Sequence, residues 1–117
     1  MEDGMLDVRV GIGLGEDRNG RAIHPGDSDA IVDRICRLAA KATGGYTTVD
    51  CDGGWTNGEG RLVKEPGIIL YVMFPESVRT DTIRNFAKLV GRAANQECVV
   101  LSYNARSGIV KCWDTES

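Results

Sequence analysis

Few side chains in this sequence have both the type and the setting to do chemistry, and Glu65 stands first among them. It lies just ahead of Pro66 in an otherwise apolar stretch, where a carboxylate must pair or face a cavity because burying it alone is costly. With Asp50 or Asp52 it would form a general acid–base pair, provided the fold brings them together. His24, the single histidine, sits beside Pro25 in a polar stretch and reads as surface before it reads as an acid or base. No serine or cysteine stands in the context of a nucleophile. The sequence therefore carries no recognisable catalytic set, and a non-enzymatic protein is expected.

Binding chemistry is better represented. Trp55 is flanked by Gly53, Gly54, Gly58 and Gly60, with Asn57 in the same stretch. An indole among glycines either plugs the end of a core or offers a flat platform on which a base can stack. Ten of the 14 basic residues are arginine, whose planar fork suits phosphate or carboxylate. Arg18, Arg21 and Arg106 fall in expected loops or turns, where they are either solvated charges or contacts to a phosphorylated ligand. Gly11, Gly13 and Gly15 alternate with Ile12 and Leu14 inside an expected strand. That placement fails the dinucleotide-loop pattern, which needs a tight turn and an immediate helix. Alternating glycines instead leave a bare patch of sheet that a ligand ring or a partner chain can approach closely.

The remaining composition closes off other classes. Seventeen acidic residues against 14 basic ones give a net charge of −3, which argues against general nucleic-acid binding. Cys36, Cys51, Cys98 and Cys112 are widely spaced, so neither a zinc site nor another metal or cofactor is indicated. No signal-peptide pattern precedes the first expected strand, so buried free thiols in a reducing cytoplasm are expected. No apolar run approaches the roughly eighteen residues that cross a bilayer.

The elements that must position these residues follow from periodicity. Leu6 to Leu14 alternates strictly and predicts a strand, followed by a polar loop from Glu16 to Gly26. Ile31, Ile35, Leu38 and Ala42 predict one helix stripe, capped by Asp27 or Ser28 and ended by Gly44-Gly45. Tyr46 to Cys51 reads as a strand, Asp52 to Gly60 as a loop, and Arg61 to Phe74 as a strand interrupted at Pro66-Gly67. A second helix opens near Ser77 or Thr80, with Ile83, Phe86, Ala87, Val90 and Ala94 on one stripe. Strands from Glu97 to Tyr103 and from Ile109 to Trp113 flank a turn at Arg106-Ser107-Gly108. The expected fold is thus a single α+β domain over 1–117, a ferredoxin-like plait (β-α-β-β-α-β) with an extra C-terminal strand and both helices on one face. Its other face needs covering, and a homo-oligomer is the expected solution.

Gly44-Gly45-Tyr46-Thr47, Gly53-Gly54-Trp55 and Gly60-Arg61-Leu62-Val63 with Glu65, together with Val10 to Gly15, resemble small bacterial and phage proteins grouped as a domain of unknown function. In size and phage character the chain is also similar to the nucleotide-sponge proteins of Thoeris anti-defence. That resemblance implies an oligomer that sequesters a cyclic nucleotide or cyclic ADP-ribose signal without degrading it. From the residues themselves, and not from that resemblance, the expected site is Gly13, Arg18, Arg21, Trp55, Asn57, Glu65 and Arg106 around a small phosphorylated nucleotide. A small plait enzyme using Glu65 or His24, and a protein-interaction domain, are the alternatives.

Overall fold

The computed structural model describes residues 4–113. Its elements are β1 (Met5–Gly13), α1 (Pro25–Thr43), β2 (Thr47–Thr56), β3 (Leu62–Pro75), α2 (Thr80–Ala93), β4 (Cys98–Tyr103) and β5 (Arg106–Lys111). The strands form one antiparallel sheet in the order β2-β3-β1-β4-β5, so the chain is an α+β protein. Alternation divides each strand between two environments. Val8, Val10 and Ile12 of β1, Ile68, Leu70 and Val72 of β3, and Val99 and Leu101 of β4 are buried on one face. There they meet Ile35 and Ala39 of α1 and the α2 stripe Ile83, Phe86, Ala87 and Val90 in one core cluster. Phe74 and Phe86 meet edge to face across the sheet–helix junction, with ring centroids 5.5 Å apart, a favoured aromatic geometry.

Several local expectations change. Helix α1 begins at Pro25, with His24 as an N-cap that makes no side-chain bond, rather than at Asp27 or Ser28. Proline fits the first turn because its missing N–H is not needed there. The α1 stripe is rotated from the expected one: Ile35, Cys36 and Ala39 are buried, whereas Ala42 is exposed. Gly44 does end the helix, at φ 89°.

The larger correction concerns the β2–β3 hairpin. Asp52 to Thr56 is strand, not loop, and the pairing with β3 runs unbroken from Thr47–Tyr71 to Thr56–Leu62. Pro66 does not interrupt it. In an antiparallel ladder a residue's N–H and C=O point to the same side, and the Pro66 carbonyl accepts from Leu14 N on the β1 side (2.8 Å). The β1–β3 ladder ends at Gly13–Gly67, so the absent Pro66 N–H leaves no ladder bond unmade. The hairpin tip thus runs past the end of β1. At the opposite end, the β4–β5 turn is Asn104-Ala105, both with positive φ, which places Arg106 in β5. Among the described residues, no helix is long and apolar enough to cross a membrane.

Candidate functional site

The open face of the sheet is formed by the residues that alternate with the core. On β1 these are Asp7, Arg9, Gly11 and Gly13, paired on β3 with Met73, Tyr71, Ile69 and Gly67, and Glu65 follows on the same face just past the end of that ladder. A groove of about 610 Å³ crosses this face from Trp55 on the hairpin to Val100 and Ile109 on β4 and β5. Its floor is Gly11 and Gly13, and one wall is the segment from Glu16 to Gly20.

Glycine makes the floor and seats the carboxylate. A Cβ at Gly13 would lie 2.5 Å from Glu65 Oε1, and one at Gly15 would lie 2.7 Å from Glu65 Cβ. Real side chains do not approach so closely, so the alternating glycines give Glu65 the room it occupies. The half-buried carboxylate faces the groove and forms no ion pair with any described residue.

The wall is an ordered turn, not a slack loop. Glu16 bridges to Ala22, Asp17 N donates to Arg21 O (2.8 Å), and the Asp17 carboxylate accepts from the backbone of Asn19 and Arg21. Further bonds tie it to the segment before β4. Arg18 N donates to Asn95 O, and Gln96 Nε2 to Glu16 O, both at 2.8 Å. The Arg18 side chain reaches Glu97 (Nε–Oε2 3.4 Å) and lies over the Trp113 ring, with Cζ 4.1 Å from the centroid.

The charge of the groove follows. Glu16, Asp17, Glu65 and Glu97 line it against the single guanidinium of Arg18, itself engaged by Glu97. This environment suits a cation better than a phosphate.

Of the expected site residues, the fold gathers Gly13, Arg18, Trp55 and Glu65 around this groove. The other three lie elsewhere. Arg21 is exposed and does not line it. Asn57 caps the hairpin turn, its side-chain oxygen accepting from the backbone of Glu59 (2.9 Å) and Arg61 (3.0 Å). Arg106 pairs with Tyr103 at the far end of the sheet and lines a different depression. The acid–base pair does not form either. Asp50 and Asp52 oppose Ile68 and Pro66 and so alternate onto the face away from Glu65. They line a cleft beside α1 with Ser28 and Asp29, where burial and then the neighbouring Asp52 and Asp50 raise the Cys51 thiol pKa. His24 caps α1, away from the groove.

Sequence reasoning missed Glu16, Asp17, Gln96, Glu97 and Trp113. Nothing in their local sequence marks them, because the contacts joining Glu16 to Gln96 and Arg18 to Trp113 span most of the chain. Among the described residues no cluster has the geometry to hold a metal ion.

No family model and no curated protein matches this chain. Solved structures do resemble it. A phage SAM lyase in complex with S-methyl-5'-thioadenosine superposes with a TM-score of 0.66 at 16% identity, covering 95% of this chain and 92% of that one. The apo form of a phage SAM lyase gives 0.65 at 16%, covering 97% and 94%. At this identity the likeness establishes a shared fold. It also overturns the expectation of a non-enzymatic module, since the architecture shared along nearly the whole chain is that of an enzyme.

Proposed function

We propose that this protein is a lyase acting on a sulfonium nucleoside, S-adenosylmethionine, with the groove on the open sheet face as its active site. The observation that carries this reading is the groove's charge: four carboxylates against one engaged guanidinium, beside an exposed indole. S-adenosylmethionine brings a positive sulfur and an adenine ring, and a carboxylate and an aromatic face are what those two parts require. The likeness to the phage lyase supports the same choice. A phosphorylated nucleotide, expected from the arginines, fits poorly among these carboxylates.

Release of S-methyl-5'-thioadenosine breaks the bond between sulfur and the γ-carbon of the methionine part. The electron pair goes to sulfur, which becomes a neutral thioether. As the sulfur leaves, the γ-carbon takes the substrate's own carboxylate oxygen, closing a five-membered lactone, or the β-carbon gives a proton to a groove carboxylate such as Glu65 and an alkene forms. Both routes balance without water or a cofactor, and the second product distinguishes them.

Glu65 holds the sulfonium and Trp55 carries the adenine. Because positive charge leaves sulfur as the bond breaks, a carboxylate beside sulfur favours bound substrate over product. Its main effects are therefore substrate affinity and release of the neutral thioether. A carboxylate that also accepted a proton would appear separately in kcat. The groove is shallow and open, and a second copy of the chain over the exposed Val49, Met73, Val100 and Ile109 would close it.

The test is calorimetry with a matched pair of ligands, S-methyl-5'-thioadenosine and the same nucleoside carrying a protonated amine in place of its thioether sulfur. The cationic analogue should bind at least about tenfold tighter, the scale of one charge-assisted contact. Cyclic dinucleotides and cyclic ADP-ribose isomers should not bind. Tight binding of those anions, with neither adenosine ligand retained, would overturn the reading.

A further inference from the structure

Trp113 is not an expected site residue, yet it contacts both Arg18 and Gln96, which build the groove wall. Its indole N–H donates to Gln96 O (2.8 Å), and Gln96 in turn holds Glu16 O. Two guanidinium groups flank the ring, Arg18 with Cζ at 4.1 Å and Arg92 at 5.7 Å from the centroid. Arg92 is itself held by the Cys112 carbonyl. The indole is half-buried, so these contacts are partly withdrawn from water, which strengthens a stacked cation.

This arrangement has a consequence for charge. Arg18 is the one guanidinium lining a groove that also holds Glu65. Lying over Trp113 and tethered to Glu97, it is kept off the other carboxylates. Released, a flexible arginine among unpaired carboxylates would pair with them and cancel the field that selects a cation.

We infer that Trp113 is a positioning residue that sets the charge selectivity of the groove: it parks Arg18, so that Glu65 and Glu16 remain available to a cationic ligand. This rests on the proposed sulfonium-nucleoside reading. It differs from a general structural role, because it predicts a change in which ligand is preferred and not only in how well the protein folds.

The experiment compares wild type, Trp113→Phe and Trp113→Ala by two-dimensional NMR and by calorimetry with the amine analogue and S-methyl-5'-thioadenosine. In the ligand-free wild type, the Arg18 Nε–H resonance should be ring-shifted; it should stay so in Trp113→Phe and move to its solvent position in Trp113→Ala. The preference for the cationic ligand should fall about tenfold in Trp113→Ala and persist in Trp113→Phe, which keeps the aromatic face. An unshifted wild-type resonance would overturn the inference, as would an unchanged preference in a folded Trp113→Ala. Should Trp113→Ala not fold, Trp113→Leu, which keeps apolar bulk but removes the aromatic face, should give the same fall in preference and the same loss of the ring shift; an unchanged preference there would also overturn it. If wild type bound neither ligand, the lyase reading would fall, while the resonance would still decide whether Arg18 is parked.

Discussion

The two faces of this one sheet are built in opposite ways. On the helix side, every second residue of β1 is aliphatic (Leu6, Val8, Val10, Ile12), and Val10 is 0% exposed. On the other side the same strand offers Asp7, Arg9, Gly11 and Gly13. The first face is filled to the point where α2 needs Gly91, since a methyl there would overlap Cys112 Sγ and lie 3.1 Å from Val99. Glycine on the second face does the reverse, leaving space that Glu65 and a groove occupy. On the proposed lyase reading the core face governs stability and the open face governs ligand chemistry, and substitutions on the two should separate cleanly.

That separation can be broken in graded ways. Leu70→Ala, at a fully buried position on the core face, should cost about 3 kcal/mol in urea denaturation, with activity per folded molecule unchanged. On the open face, Glu65→Gln should lower kcat/KM for S-adenosylmethionine by roughly ten- to a hundredfold, with unfolding midpoints hardly moved. Gly13→Val pushes a side chain into the space of Glu65 Oε1 and should lower kcat/KM by about tenfold while suiting the strand. Gly91→Ala gains helix propensity but overpacks, for a net loss of about 1–2 kcal/mol.

A further effect, absent at neutral pH, is a pH dependence confined to the core. Burial, followed by the neighbouring Cys98, pushes the Cys112 thiol from 9.0 up to about 11. A raised folded-state pKa contributes stability that is intact below the unfolded value and lost as pH climbs through the folded one. Wild type should therefore lose stability relative to Cys112→Ala between about pH 9 and 11. An equal slope in both proteins would place that thiol in contact with water.

The architecture was legible because it rests on periodicity. Alternation in Leu6–Leu14 and the stripe from Ile83 to Ala94 survive in the structure nearly as read. The α1 stripe slipped because small residues such as Ala39 and Ala42 carry little signal about which of them faces inward. The hairpin was cut short because glycine and proline usually mark loops. Here Gly53, Gly54 and Pro66 sit inside a ladder whose pairing is fixed by its partner strand. The site was half legible. Gly13, Trp55 and Glu65 stood out by type and setting, and Arg18 was included as one of several loop arginines. Its selection over Arg21 and Arg106, together with Glu16, Gln96 and Trp113, is decided by contacts between distant segments that no local pattern encodes.

The most direct test of the lyase reading is a time course of wild type and Glu65→Gln with S-adenosylmethionine alone, the adenosine products being quantified by liquid chromatography and mass spectrometry. The account predicts steady release of S-methyl-5'-thioadenosine by wild type with no added cofactor, and at least about tenfold slower release by Glu65→Gln at low substrate. Recovery of intact S-adenosylmethionine from wild type, or equal rates from the two proteins, would contradict it.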